Sequence, residues 1–432
     1  MVRERNGLQL NCLARQTAAM TEDRGGFMWG SASSSTQTRG PAPTSTWGAL
    51  QRTGEAPPSR GNGFDDAFED EFAALAELGL THVRLGLDWS RLEPRRGLHD
   101  DREVERLHEI LGAARGAGLS VWACLHHFDL PGWFVDDEGG FLDAQGRGSI
   151  WPRHVDWIAE TFGTQVSGWM PTNQPLATAA RNWRTGGLSA GLTDLDRFTE
   201  ALESLLLAGH EAWRLLRSGD QPVCTLFDLA PVQPTAPSGD VRERGAAADA
   251  AAVVDRLIWR TGIRLIRDGI LSIPGRAERE IPEAAESFDL VGFTYAGGLG
   301  VHADRSTSPW PDGRWVDALG AATWPEGLGV TIRRLHDELP GRELVVGACG
   351  LATQSAMGGP DPDARRASYL DDCLAQVADA RSDGIDVVGF FVWSAVDGDE
   401  WTHGANVDHG IMDRSRRPKP SAAVLSRAAL SG

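Results

Sequence analysis

Residues 166–175 read VSGWMPTNQP, an apolar run of strand length that ends in polar residues and a proline. A second run, residues 343–350, reads ELVVGACG and ends on a glycine. Short apolar runs bounded by turn residues are typical of parallel strands that are buried on both faces. These two stretches therefore predict strands of a parallel sheet.

Eight such runs occur along the chain, and patterns of helical period lie between them. The predicted strands are Phe27–Ser33, His82–Trp89, Ser120–His127, Val166–Asn173, Pro222–Leu229, Phe288–Tyr295, Glu343–Gly350 and Asp386–Ser394. The predicted helices include Asp65–Leu78, Arg102–Ala117, Thr199–Leu216, Ala248–Arg267 and Asp363–Arg381. Eight alternations of strand and helix predict a single (β/α)8 TIM barrel over residues 25–432, with its site in the loops that follow the strands. Residues 1–24 are expected to be a flexible leader.

Composition and charge exclude several classes of partner. The net charge of −18 argues against nucleic acid and anionic membranes, because both need clustered Lys and Arg. Lys419 is the only lysine, so Schiff-base catalysis in the strand-end loops is not expected. The long Gly- and Pro-rich segments lack a dinucleotide fingerprint, and no metal-ligand spacing occurs. We therefore expect no cofactor and no metal.

The cysteines and the N-terminal residues bear on the cellular compartment. The five cysteines are widely spaced and form no CxxC pair, which is typical of reduced thiols. The N-terminal residues contain no apolar core of signal-peptide length, and no run is long enough to span a bilayer. These features predict a cytoplasmic protein. They leave its oligomeric state open.

Several segments, in barrel order, match the motifs of one enzyme family. They are FMWGSASSSTQTRG (27–40), HVRLGLDWSRLEP (82–94), ACLHHFDLPGWF (123–134), WMPTNQP (169–175), FFVWSAVDGDEW (390–401) and RRPKPSA (416–422). Together they resemble glycoside hydrolase family 1, the β-glucosidase family, over nearly the whole chain. The resemblance implies a (β/α)8 barrel that binds a small-molecule glycoside or a sugar-like ligand.

The resemblance also implies which residues line a pocket for the sugar ring. Positions that hydrogen-bond sugar hydroxyls in the family, or that hold the ring and the nucleophile, are matched by Gln37, His127, Asn173, Tyr295, Trp393, Glu400 and Trp401. Trp393 matches the aromatic floor, and Tyr295 matches a tyrosine that holds the nucleophile. Amides, imidazole, carboxylate and indoles suit a ligand with hydroxyls around an apolar ring face. Each residue alone would equally fit a structural role.

The two catalytic glutamates of the family are absent at the matching positions. The family carries one in a T-N-E-P segment and the other in an I-T-E-N-G segment, where this chain has Gln174 and Ala348. Retaining β-glycosidases need two carboxyl groups about 5 Å apart. An amide is a poor proton donor and a methyl group cannot attack a sugar. The resemblance therefore implies that the ordinary double displacement is lost.

Three other carboxyl groups are candidates for acid–base chemistry: Asp88, Asp228 and Glu400. Asp88 shares strand parity with Arg84, so it is expected either to enter the pocket or to form an ion pair with Arg84. Asp228 is either a hydrogen-bonded strand-end residue or a new acid or base. Cys349 follows Ala348, so strand alternation turns it away from the face of Ala348, and it is expected to be a buried, inert thiol.

Further tryptophans, Trp183 and Trp324, are candidates for the aglycone side of the pocket. Taken together, these features favour a pseudoglycosidase that binds a glycoside or another polyhydroxylated molecule and performs non-hydrolytic acid–base chemistry in biosynthesis. The alternatives are a β-glycosidase with an unorthodox mechanism and a sugar-binding protein without turnover.

Overall fold

A computed structural model describes residues 26–181, 195–237, 239–354 and 361–431. The predicted leader, residues 1–24, and the candidate Trp183 lie outside the described residues. Eight parallel strands form the central sheet: β1 Met28–Ala32, β2 His82–Gly86, β3 Ser120–His126, β4 Gly168–Thr172, β5 Phe227–Asp228, β6 Val291–Tyr295, β7 Leu344–Cys349 and β8 Val387–Trp393. Each lies within a predicted strand, and the predicted (β/α)8 barrel is confirmed.

The sheet closes on itself between β4 and β5. Its strand order is β4-β3-β2-β1-β8-β7-β6-β5, which leaves these two strands at the ends. A parallel bridge joins Trp169 to Val223, just before β5. The Trp169 N–H donates to the Pro222 carbonyl at 2.9 Å, and the Cys224 N–H donates to the Trp169 carbonyl at 2.8 Å. These bonds remove the sheet edges, as a closed barrel requires.

Helices follow the strands and cover the outside of the barrel. The α-helices are Ser35–Arg39, Thr46–Thr53, Phe64–Glu77, Trp89–Leu92, Asp101–Gly116, Gly132–Asp136, Trp151–Phe162, Pro175–Ala179, Leu195–Leu216, Val241–Asp255, Thr261–Asp268, Pro325–Glu338, Pro362–Ser382 and Pro420–Ser431. The predicted helix Ala248–Arg267 is divided by a π-helical turn, Arg256–Arg260. That turn carries Trp259, which is buried and donates its indole N–H to the Ala230 carbonyl at 2.8 Å.

The barrel interior is filled by large apolar side chains that need small neighbours. Trp122, Met170, Leu226 and Phe391 are buried there together. A Cβ atom at Gly168 would lie 2.6 Å from the Trp122 ring, which is closer than van der Waals contact allows. The glycine at the start of β4 thus gives room to the indole of β3. Close packing of this kind makes the interior a core and leaves the strand ends for a site.

Loops at the carboxyl ends of the strands add structure around the barrel mouth. A three-stranded sheet, Val232–Pro234, Gly298–Val301 and Thr307–Trp310, follows β5 and β6. In the loop after β8, Asp397 pairs with Lys419 at 2.5 Å, and the lysine ammonium also donates to the Gly410 carbonyl at 3.1 Å. No helix among the described residues is long and apolar enough to cross a membrane.

Candidate functional site

A cavity of about 270 Å³ opens at the carboxyl ends of the barrel strands. Its lining includes Arg84 from β2, Thr294 and Tyr295 from β6, Ala348 from β7 and Trp393 from β8. The lining also includes Gln37 from the helix Ser35–Arg39, and His127, Phe128, Gln174, Arg181, Asp317, Cys349, Glu400, Trp401 and His409. Most of the residues predicted from the sequence therefore meet in one place. Asn173 is buried beneath them and contacts Arg84.

Gln174 is held in place by both its backbone and its side chain. It follows β4 in a left-handed conformation with φ of 47°, which a non-glycine residue adopts at some cost. Its N–H donates to the Leu226 carbonyl at 2.9 Å. Its Nε2 donates to the Thr294 hydroxyl at 2.7 Å, and its Oε1 accepts from Asn173 Nδ2 at 3.1 Å. The amide is thus a fixed polar group at the cavity wall.

Ala348 and Arg84 line the cavity from strands β7 and β2 of the barrel. The Ala348 methyl group packs with the apolar interior cluster that also contacts Trp393. The Arg84 side chain is 1% exposed, and its Nη1 donates to Asn173 Oδ1 at 2.9 Å. Among the described residues, the hydrogen-bond partner of this guanidinium is the neutral Asn173 amide, and no carboxylate is among the groups whose charge acts on it. The cavity lining therefore includes both a buried positive charge and a methyl group.

Glu400 is a carboxyl group of the cavity that lies close to other polar side chains. Its Oε1 accepts a hydrogen bond from Gln37 Nε2 at 3.0 Å and lies 3.3 Å from His409 Nε2. Burial raises the pKa of Glu400 to about 7, although the positive charge of Arg181 opposes the shift. Burial also lowers the pKa of His409 to about 3, so this imidazole is neutral. Glu400 can therefore donate or accept a proton near neutral pH.

Aromatic rings form one wall of the cavity. The His127 ring lies 5.7 Å from the Trp393 ring and 6.2 Å from the Trp401 ring, centroid to centroid. Trp47 braces Trp401 edge-on at 4.7 Å. Burial holds the pKa of His127 well below its usual range, so the ring is a neutral hydrogen-bonding group. An apolar wall with polar edges suits a sugar ring.

Arg181 and His409 belong to the site but were not predicted from the sequence. The Arg181 guanidinium carbon lies 4.6 Å from the Phe128 ring centroid and 5.7 Å from that of Trp401. Its positive charge interacts electrostatically with the carboxyl groups of Glu400 and Asp228. Arg181 follows the short helix Pro175–Ala179, beyond the WMPTNQP motif, and His409 follows the last strand motif. Both residues lie outside the matched sequence motifs, so the motifs did not predict that they belong to the site.

Comparison with known proteins assigns the chain to a family. The model of "Glycosyl hydrolase family 1" matches residues 21–255 and 303–427. The chain belongs to glycosyl hydrolase family 1. It is 26% identical to thermostable beta-glucosidase B of Thermobispora bispora, over 91% of this chain and 88% of that protein. It is 23% identical to beta-glucosidase A of Thermotoga maritima, over 90% and 92% respectively.

Solved structures of family 1 share the fold. A beta-glycosidase from Pyrococcus horikoshii matches with a TM-score of 0.82 at 22% identity, covering 93% of each chain. A family 1 b-glucosidase from Thermotoga maritima, in complex with isofagomine lactam, matches with a TM-score of 0.82 at 21% identity, covering 93% of this chain and 97% of that one. At this identity the likeness shows the fold, a (β/α)8 barrel.

Within this family 1 barrel, the prediction for Asp88 is wrong. Asp88 pairs with Arg91 at 3.3 Å rather than with Arg84. Its Oδ1 accepts from the N–H groups of Ser90 and Arg91, at 3.0 and 3.3 Å, and so caps the helix Trp89–Leu92. Strand β2 ends at Gly86, so the alternation of side chains does not extend to residue 88. Asp88 does not line the cavity.

Asp228 also has a structural position at the end of β5. Its Oδ2 accepts hydrogen bonds from the N–H groups of Leu176 and Ala177, at 3.1 and 3.3 Å. It therefore caps the short helix that follows Gln174. Burial raises the pKa of Asp228 to about 7, while these hydrogen bonds and Arg181 oppose the shift. Of the two roles considered for Asp228, the hydrogen-bonded strand-end residue fits this geometry.

Tyr295 and Cys349 are oriented by groups outside the cavity. The Tyr295 hydroxyl donates to the Trp324 carbonyl at 2.6 Å. Cys349 is buried, and its Sγ lies 3.9 Å from Cys373 Sγ and 4.0 Å from the Tyr369 hydroxyl. Strand alternation predicted that Cys349 faces away from the side chain of Ala348. The thiol contacts with Cys373 and Tyr369 agree with that direction, and the residue nevertheless borders the cavity.

Proposed function

We propose that this family 1 barrel binds the sugar of a β-glycoside, or a similar polyhydroxylated molecule, without double-displacement hydrolysis. The chemistry open to it is proton transfer by Glu400, as in isomerisation, elimination or cyclisation of a metabolite. The sugar ring would lie against Trp393 and Trp401, with its hydroxyls bonded to Gln37 and His127. Relatives in the family are β-glucosidases, which supports a glucoside-like ligand.

The side chains of Gln174 and Ala348 carry this proposal. We take them to occupy the acid/base and nucleophile positions because they match those positions in the sequence motifs, and the hydrogen bond from Gln174 to Thr294 uses one amide donor. A fixed amide and a methyl group supply neither of the two carboxyl groups that the retaining mechanism requires. Two carboxyl groups line the cavity among the described residues: Asp317, which accepts from three backbone N–H groups, and Glu400. Glu400 has a pKa of about 7, which suits general acid or base work.

A second candidate function is hydrolysis of β-glycosides by an altered mechanism. It is favoured by the relatives, whose described activity is that of β-glucosidases. Such a mechanism would place a water molecule or a group of the substrate where Ala348 leaves space. Glu400 would then have to protonate the leaving group or activate the water.

Release of nitrophenol from an aryl β-glucoside tests both candidates. We would compare the wild type, the double variant Gln174→Glu/Ala348→Glu and the variant Glu400→Gln. We expect no release by the wild type and measurable turnover by the double variant, because the sugar pocket is kept. Hydrolysis by the wild type that is lost in Glu400→Gln would overturn the main proposal in favour of the second candidate.

Ligand binding separates turnover from recognition. Glucoimidazole and deoxynojirimycin are bound by the Thermotoga maritima enzyme and serve as probes for the same pocket here. We expect titration calorimetry to detect binding to the wild type and much weaker binding to Trp401→Ala. A Trp133→Ala variant is a matched control, because that tryptophan packs against Trp89 outside the cavity. Absence of binding by the wild type would reject sugar recognition.

A further inference from the structure

Arg84 carries a buried positive charge for which the described residues supply no counter-charge. The side chain is 1% exposed and lines the cavity. Its hydrogen bond goes to the neutral amide of Asn173, and its Nε has no acceptor within the described part of the chain. A buried charge is costly unless it is paired, because the surrounding medium cannot replace hydration.

The groups around Arg84 do not neutralise it. The Trp393 ring centroid lies 5.8 Å from its guanidinium carbon. The thiols of Cys124 and Cys224 are the other groups that act on it, but burial raises the pKa of both, to about 11 for Cys124. They are therefore uncharged at neutral pH. The cavity carboxylates are engaged elsewhere, Glu400 with Gln37 and Asp317 with three backbone N–H groups.

We propose that a carboxylate of the ligand pairs with Arg84 in the space beside the Ala348 methyl group. A guanidinium matches a carboxylate with two parallel hydrogen bonds, and exclusion of water strengthens the pair. The inference deepens the proposed function and rests on it for the sugar part of the ligand. The substrate class is then a sugar acid, or a glycoside with an acidic group near its anomeric carbon.

The resemblance indicates the position of the carboxylate on the sugar. In a retaining β-glycosidase the nucleophile approaches the ring face opposite the leaving group. Ala348 holds the matching position, so the ligand carboxylate would project from the α face of the anomeric carbon. This position differs from that of a uronic acid carboxylate, which lies at the other side of the ring.

Matched ligands test the proposal in the full chain. The probes are α-C-glucopyranosyl carboxylate, its neutral carboxamide and sodium formate, each titrated calorimetrically. We expect the carboxylate to bind the wild type at least about tenfold more tightly than the carboxamide, since charge-assisted hydrogen bonds are the stronger kind. Arg84→Met should bring the two affinities together and leave carboxamide binding in place.

Two further variants keep the test decisive if Arg84→Met does not fold. Ala348→Glu supplies an internal carboxylate, and Ala348→Gln has the same size without the charge. We expect a higher thermal midpoint for Ala348→Glu than for Ala348→Gln, together with loss of formate binding in Ala348→Glu. Equal midpoints, or a lower one for Ala348→Glu, would overturn the proposal.

The ligand results also separate this proposal from the proposed function. Equal binding of carboxylate and carboxamide would reject the anion site and leave sugar recognition standing. Binding of formate without either sugar probe would support a site for a small free anion and reject sugar recognition. If formate and both sugar probes fail to bind, both proposals are rejected.

Discussion

Gln174 and Thr294 are joined by a 2.7 Å hydrogen bond from the amide Nε2 to the hydroxyl oxygen. The bond links the ends of β4 and β6 across the cavity wall. It occupies the side chain that matches the acid/base position of family 1. In the function proposed above, this residue belongs to a fixed polar wall and does not transfer a proton.

Replacement of Thr294 should show how much this hydrogen bond contributes to the free energy of unfolding. Thr294→Val keeps the shape of the side chain but leaves the Gln174 amide without its acceptor. We expect a loss of about 0.5–1.5 kcal/mol in the free energy of unfolding, the usual net contribution of an intramolecular hydrogen bond, because the Gln174 amide is only partly buried. Urea denaturation measures it. Thr294→Ser keeps the hydroxyl and is the control; an equal loss in both variants would show that packing, rather than the bond, is responsible.

Glu400 should make the stability of the protein depend on pH. Its pKa is about 7 when folded and 4.5 in the reference state, so the folded chain binds the extra proton between these values. The stabilisation is present below pH 4.5 and is lost as the pH rises through 7. The stability of the wild type relative to Glu400→Gln should therefore fall by up to about 3 kcal/mol between pH 4 and 8. A difference that does not change with pH would contradict the raised pKa.

Asp228 should behave as a helix cap. Asp228→Ala removes the acceptor for the N–H groups of Leu176 and Ala177, and we expect a cost of about 0.5–2 kcal/mol. Asp228→Asn retains an oxygen acceptor and should cost less. Thermal or urea unfolding distinguishes the two variants. If Asp228→Asn instead unfolds like Asp228→Ala, the negative charge and its interaction with Arg181 matter more than the cap.

Asp88 should affect stability and leave ligand affinity unchanged. Asp88→Ala removes the cap of the helix Trp89–Leu92, at a cost of about 1 kcal/mol, whereas Asp88→Asn should be nearly neutral. Glucoimidazole affinity should be the same for both variants and the wild type, because Asp88 lies outside the cavity lining. A large change in affinity for Asp88→Asn would place its charge in the site after all.

The sequence predicted the barrel well because buried parallel strands are continuous apolar runs, which stand out without any partner information. It also predicted that Gln37, His127, Trp393 and Glu400 meet, since each lies in a motif tied to the end of a particular strand. The role of Asp88 was missed because the alternation of side chains between the two faces of a sheet holds only within a strand, and Asp88 lies beyond the end of β2. Arg181 was missed because its position depends on the path of a loop, for which the chain has no local pattern.

The pair formed by Lys419 and Asp397 has a practical consequence. Since this is the only lysine of the chain, amine-selective reagents have one side chain to modify besides the amino terminus. That side chain is 19% exposed and bound to Asp397 and the Gly410 carbonyl. Its labelling rate would therefore report when the segment leading into helix Pro420–Ser431 detaches from the loop after β8. Acylation of Lys419, measured by mass spectrometry, would therefore report how often this segment detaches beside the barrel mouth.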